Sequence, residues 1–323
     1  MEEAKYFRNF REIASREAFD ADCEITVENF ASLIGEYHFG EEEVSCQVRR
    51  LDQSSRCSEG HKNGWLGRRK DGKEALIGIV CGSKYFHASS AFVAQRKRLN
   101  SELNINRYIE RLQSTCGDTA YAAELERTVG RLKAIRGAVG DWRERLPAQI
   151  VTRLLEMAKS GKTSVGVLFR YEDEDDDGNP KVDWIPDQIG AVSGVAIWDQ
   201  GRLGALFQAL HEIRDTLGEA RIDRAAGERK LRLWADKLDE LSGYTDRVTE
   251  LESALESFSE LSNLRLLCFL VPNQDIGINA LRIVIEQERG ATAATPSAAR
   301  ALYKELSASV RTRAGGRDFR IDW

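Results

Sequence analysis

The sequence predicts an α+β protein dominated by helix, and three observations carry that prediction. Two long segments repeat apolar residues at heptad-like intervals, short strand-like runs separate them, and a cysteine-containing stretch has the turn chemistry of a hairpin. The 323 residues suffice for two or three domains, and a composition of 42% hydrophobic and 31% charged residues is that of a globular chain with a highly charged surface. The expected organisation is N-terminal helices over 1–43, a basic module over 44–98, a long antiparallel helical arm over 99–263 with an α/β insert at about 163–217, and a C-terminal α/β segment over 264–323.

Taken in order, Tyr6, Phe7, Phe10 and Ile13 recur at helical spacing, as do Val27, Phe30, Leu33 and Ile34 after Thr26 as N-cap. Ser83 opens a helix to about Thr115, stopped by Cys116-Gly117-Asp118. The next helix, Thr119 to Arg145, places Leu125, Val129, Leu132, Ile135, Val139, Trp142 and Leu146 on one seam, and Pro147 ends or kinks it. Ala148 to Lys159 reads as a further turn sequence closing on Gly161. Trp234, Leu238, Leu241, Val248, Leu251, Leu255 and Phe258 keep a similar seam over Glu219–Asn263. The two arms are expected to pair within one chain as an antiparallel hairpin, with a dimeric coiled coil as the alternative.

Between the arms, Ser164–Tyr171 and Val192–Trp198 read as strands, Glu172–Pro180 as an acidic loop, and Leu203–Leu217 as a helix. Leu264–Val271 and Ile276–Ile285 read as paired strands across Pro272-Asn273-Gln274-Asp275. A helix from Ser297 to about Val310 and a polar tail follow.

The most informative segment runs from Cys46 to Cys81. Cys46, Cys57, His61 and Cys81 are three of six cysteines and one of four histidines, gathered within 36 residues. Three thiolates and an imidazole form the donor set of a closed tetrahedral Zn2+ site. Gly60 allows a tight turn between Cys57 and His61. Asp71-Gly72 is a hairpin turn joining Trp65–Arg69 to Glu74–Val80, and Cys81 falls near a helix start. Knuckle, hairpin and helix-borne donor resemble the treble-clef zinc fingers over about 40 residues, although no CxxC pair is present. His87 is the rival to Cys46 for the fourth place. Glu59 is the one close carboxylate that a catalytic site would recruit. Cys23, Cys116 and Cys268 lack neighbouring donors and read as buried thiols.

Charge is distributed unevenly. Residues 44–99 hold twelve Lys/Arg and four Asp/Glu, a local +8 in a chain whose total is −5. Arg49, Arg50, Arg68, Arg69, Lys70, Lys73 and Lys84 lie on the module, and Arg96, Lys97 and Arg98 follow on the outgoing helix. Such a surface suits phosphate contact, and Trp65 and Tyr85 are candidates to stack on unpaired bases, with Trp65 also the natural core of so small a module.

Other signals fail on inspection. Ser160-Gly161-Lys162-Thr163 lacks the first glycine of a P-loop and sits between helix and strand in the wrong order. Asp173–Gly178 begins like a calcium loop, yet Trp184 stands where its last ligand belongs. His211 has no nucleophile partner in view. No run approaches the roughly 20 apolar residues of a membrane helix. The acidic start Met1-Glu2-Glu3 is no signal peptide, so a cytoplasmic location with reduced cysteines is expected. The sequence thus points to a zinc-stabilised nucleic-acid-binding or adaptor protein with a protein partner. A scaffold without nucleic acid and a nuclease-type enzyme are the alternatives.

Overall fold

A computed structural model describes residues 4–49, 55–174, 180–219 and 222–322. The chain divides into two compact units, Met1–Asp118 with Glu219–Lys237, and Thr119–Gly218 with Leu238–Trp323. The α+β, helix-dominated class is as expected.

The first unit opens with strand β1 (Lys5–Phe7), a single helical turn α1 (Phe10–Ala14) and strand β2 (Phe30–His38), where the sequence suggested two helices. The physical reason is visible in β2. Its register against the neighbouring strand slips between Phe30 and Ser32 and again between Leu33 and Gly35. Bulges of this kind break the two-residue alternation, so Phe30, Leu33 and Ile34 mimic a helical stripe while lying in a sheet. There follow β3 (Val44–Ser45), β4 (Gly60–His61), β5 (Asn63–Arg69) and β6 (Glu74–Gly78). The main sheet has the order β1-β2-β5-β6, with β1 parallel to β2 and the rest antiparallel. The expected hairpin is therefore half of a larger sheet. Its turn is closed by the Gly72 N–H donating to the Arg69 carbonyl at 3.0 Å, with Gly72 at φ 89°.

The single helix expected from Ser83 is two, α2 (Ile79–Tyr85) and α3 (Ser90–Gly117). Phe86 causes the break by turning inward, fully buried, against Phe30 and Phe92. Ser89 then restarts the helix, its side chain accepting from the Phe92 N–H. Trp65 completes this aromatic core at 5.7 Å from Phe92 and is buried, which removes it as a stacking platform for bases.

The second unit contains α4 (Thr119–Arg145), α5 (Ala148–Ser160), β7 (Ser164–Glu174), β8 (Pro180–Ala191) and α6 (Gln200–Glu219). Helix α7 (Gly227–Asp239) crosses the division between units, and α8 (Leu241–Ser259) follows. The seam residues of α4 from Leu125 to Trp142 are buried as predicted.

The direction of the arms differs from expectation. Thr128 meets Thr245, Arg131 binds Glu252, and Trp142 packs on Phe258, so α4 and α8 run parallel. The antiparallel partner is α6, which pairs Arg214 with Glu126 of α4 and Arg202 with Glu250 of α8. A heptad stripe records that a face is buried and is blind to the sense of its partner.

Further strands are reassigned. Val195–Trp198 is a short 3-10 turn, and the partner of β7 is β8. Leu264–Val271 is α9 (Leu261–Leu266) followed by a buried 3-10 turn, and Ile276–Ile285 belongs to α10 (Gln274–Arg289). A continuous apolar run has no period by which a buried strand and a buried helix can be told apart. Asn273, read as part of a hairpin turn, caps α10 by accepting from the N–H groups of Asp275 and Ile276. Helix α11 (Pro296–Arg313) and strand β9 (Phe319–Ile321) finish the unit. β9 joins the insert in a sheet of order β8-β7-β9. Residues 175–179 of the acidic loop lie outside the described residues. No described helix is long and apolar enough to cross a membrane.

Candidate metal centre

Cys46 and Cys57 sit on the two limbs of one irregular hairpin that extends β3 and β4. The Cys46 N–H donates to the Glu59 carbonyl (3.0 Å), Ser58 N–H to the Cys46 carbonyl (3.1 Å), and Cys57 N–H to the Val48 carbonyl (2.8 Å). Gln47, between these contacts, anchors the ribbon. Its buried amide donates to the carbonyls of Asp20 and Cys23 and accepts from the Leu76 N–H at 2.7 Å. Every polar contact of that side chain ties the ribbon to the unit's core.

Cys81 arrives from another direction, inside the first turn of α2. Its Sγ lies 3.4 Å from Cys57 Sγ, and the three sulfurs of Cys46, Cys57 and Cys81 all fall within 4.8 Å of one another. Three sulfurs at the corners of a zinc tetrahedron with 2.3 Å bonds are about 3.8 Å apart, so this set fits a metal ion with little movement. Burial raises the Cys46 thiol pKa, opposed by the backbone N–H groups of Val48 and Gly78. Burial, then the neighbouring Cys46 and Cys57, push Cys81 up. Crowded, buried thiols are costly to ionise unless a cation sits among them.

His61 lines the same cavity of about 300 Å3, with Glu59, Asn63, Ile79 and Val80, while its ring nitrogens stand outside the three-sulfur set. Burial lowers its pKa, with Glu43 acting in the opposite sense, so the imidazole is held toward its neutral, ligating form. The Tyr37 hydroxyl lies 3.1 Å from its Nδ1, and the rings stack at 5.7 Å between centroids. Tyr37, Gly64 and Gly78 form one row across β2, β5 and β6. A Cβ at Gly64 would come within 2.5 Å of the Tyr37 hydroxyl, and one at Gly78 within 2.8 Å of His61 Cδ2. The two glycines make the shelf on which both rings lie. Tyr37, Gln47 and this glycine pair escaped the sequence reading, since only the strand register brings them to the cysteines. His87, the alternative ligand, is exposed, with its Nδ1 at 2.9 Å from the Lys84 carbonyl, and does not line the cavity.

The basic residues are placed less uniformly. Arg68 pairs with the fully buried Glu74 at 2.6 Å, Arg69 with Asp71 at 2.8 Å, Lys73 with Asp20 at 2.7 Å, Arg98 with Glu102 at 2.9 Å and Arg49 with Glu24 at 3.6 Å. Lys70, Lys84, Arg96 and Lys97 are exposed, with Lys84 over the Tyr85 ring and Arg96 over Trp65. Arg50 lies outside the described residues. Cys23 and Cys268 are buried thiols and Cys116 is half-buried. Comparison with protein-family models, curated proteins and solved structures finds no match to this chain.

Proposed function

We propose that this chain is a zinc-stabilised binding protein whose first unit is fixed by a structural Zn2+ on Cys46, Cys57, Cys81 and His61. The observation that carries the reading is the convergence of three sulfurs from a ribbon and a helix onto one point. Soft thiolate donors select zinc over harder divalent cations. The order of ribbon, hairpin and helix-borne cysteine supports a treble-clef-like arrangement built into a larger sheet. On this reading His61 supplies the fourth bond through Nε2 while Nδ1–H donates to the Tyr37 hydroxyl, which takes the outer role that a carboxylate, carbonyl or water usually fills.

On this reading the bound partner is an anionic polymer, a nucleic acid strand touched by Lys70, Lys84, Arg96 and Lys97. Elemental analysis of the purified chain tests the metal, with one zinc expected per chain and loss of it in Cys81→Ser. Titration with a single-stranded oligonucleotide tests the partner. Four phosphate contacts give a slope of log K against log salt of about −3. One observation favours a second reading, a protein-interaction scaffold that does not contact nucleic acid. Arg68, Arg69 and Lys73 already face carboxylates of their own chain, which leaves the hairpin tip with little spare charge. A salt-insensitive titration, or none, selects that reading; absence of metal in protein prepared without chelator removes both.

A further inference from the structure

The geometry points to a second binding site, for a small phosphate-bearing ligand, in the groove of the second unit between α10, α11 and β9. This groove of about 700 Å3 is lined on one side by Arg300, Tyr303, Lys304, Ser307 and Arg311 of α11. These positions follow the three- and four-residue steps of one helical face, so cations and hydroxyls alternate along a single stripe. β9 forms the facing wall with Phe319 and Ile321, and Asp275 is the one carboxylate among the lining residues.

Two features argue that the stripe is a site and not a solvated face. Arg300 and Lys304 are like charges at i and i+4, an arrangement that costs an isolated helix stability and that an anion between them relieves. The arginine at the far end is held in place, Arg311 lying over Phe319 while pairing with Asp318 at 3.3 Å. Phe319 is braced in turn by Phe169 and Phe269, and Tyr303 by Phe269. A concave wall with one fixed guanidinium, two free cations and an aromatic floor is the chemistry that grips phosphate oxygens, with Arg300 and Arg311 offering paired donors and Lys304 a point charge. The volume accommodates a small molecule.

The test is calorimetric titration of the full chain with inorganic pyrophosphate. Saturable one-to-one binding is expected, weakened at least tenfold in the double variant Arg300→Ser/Lys304→Ser. Both side chains are exposed, so its thermal midpoint is expected to match the parent's. The control Lys133→Ser/Arg143→Ser, two exposed cations of α4, is expected to bind pyrophosphate as the parent does. The proposal is overturned if pyrophosphate gives no saturable binding, if the double variant binds like the parent, or if the control loses binding equally. An oligonucleotide that binds through Arg300 and Lys304 where pyrophosphate does not would also overturn it, by making the groove part of a polymer-binding surface. Neither zinc nor the first unit enters this proposal, so it stands or falls separately from the metal centre.

Discussion

The Tyr37 hydroxyl faces the imidazole of His61 at 3.1 Å from Nδ1, and the two stacked rings share a shelf made by Gly64 and Gly78. Tyr37 is 1% exposed, so its hydroxyl has lost water and depends on this contact. Tyr37→Phe is expected to cost about 1 kcal/mol of stability through the lost hydrogen bond. It is also expected to weaken metal affinity at least about tenfold through the freed imidazole, as measured by competition with a chromophoric chelator. Unchanged affinity would take His61 out of the ligand set.

Gly78 has φ −64°, a conformation open to any residue, so Gly78→Ala tests space alone. The added methyl lands 2.8 Å from His61 Cδ2 and 3.1 Å from Nε2. Overpacking of this kind costs about 1–3 kcal/mol. The expected result in denaturant unfolding is a lowered midpoint together with reduced metal content, whereas a midpoint equal to the parent's would show that the ring moves freely aside.

Glu74 is fully buried between two guanidiniums, with Arg16 at 2.7 and 2.9 Å and Arg68 at 2.6 Å. Burial alone would raise its pKa, but the two arginines outweigh it and hold the carboxyl below its ordinary 4.5. A depressed carboxylate pKa contributes stability in full above the unfolded value, and that stability is lost as pH falls through the folded value. Acid unfolding is therefore expected to steepen below about pH 4.5. Glu74→Gln is expected to flatten that limb and to cost about 3–5 kcal/mol near neutrality by leaving two buried-side arginines without a counter-charge. Equal pH profiles for parent and variant would contradict this account.

The parallel course of α4 and α8 brings Thr128 Oγ1 to 3.1 Å from Thr245 Oγ1. Thr128→Cys/Thr245→Cys is accordingly expected to close an intramolecular disulfide under mild oxidation, at a yield independent of protein concentration. An antiparallel pairing would separate the two positions, and a dimeric coiled coil would give a covalent dimer instead. Gel mobility under non-reducing conditions distinguishes the three.

Parts of this architecture were legible in the residues. The α4 seam and the β5–β6 hairpin each follow from a local signal, whereas Ala148–Ser160, read as a turn sequence, is a full helix. A stripe at heptad spacing, a proline or glycine at a boundary, and a short turn between alternating runs were enough. Where local signals were ambiguous the sequence misled. The bulged β2 imitates a helix, and the apolar Leu264–Val271 imitates a strand.

The sequence by itself determined the donor chemistry, because three thiols and an imidazole within 36 residues limit what the segment can bind. It also determined which helical faces would be buried. Only the tertiary structure decided that Cys46, Cys57 and Cys81 meet and that His61 rests on Tyr37. It likewise decided that most of the basic tip is neutralised by its own carboxylates. The reason is physical. Donor identity and periodicity are properties of neighbouring residues, whereas strand register, helix direction and ion pairing depend on contacts between residues far apart in the chain, which no local pattern encodes.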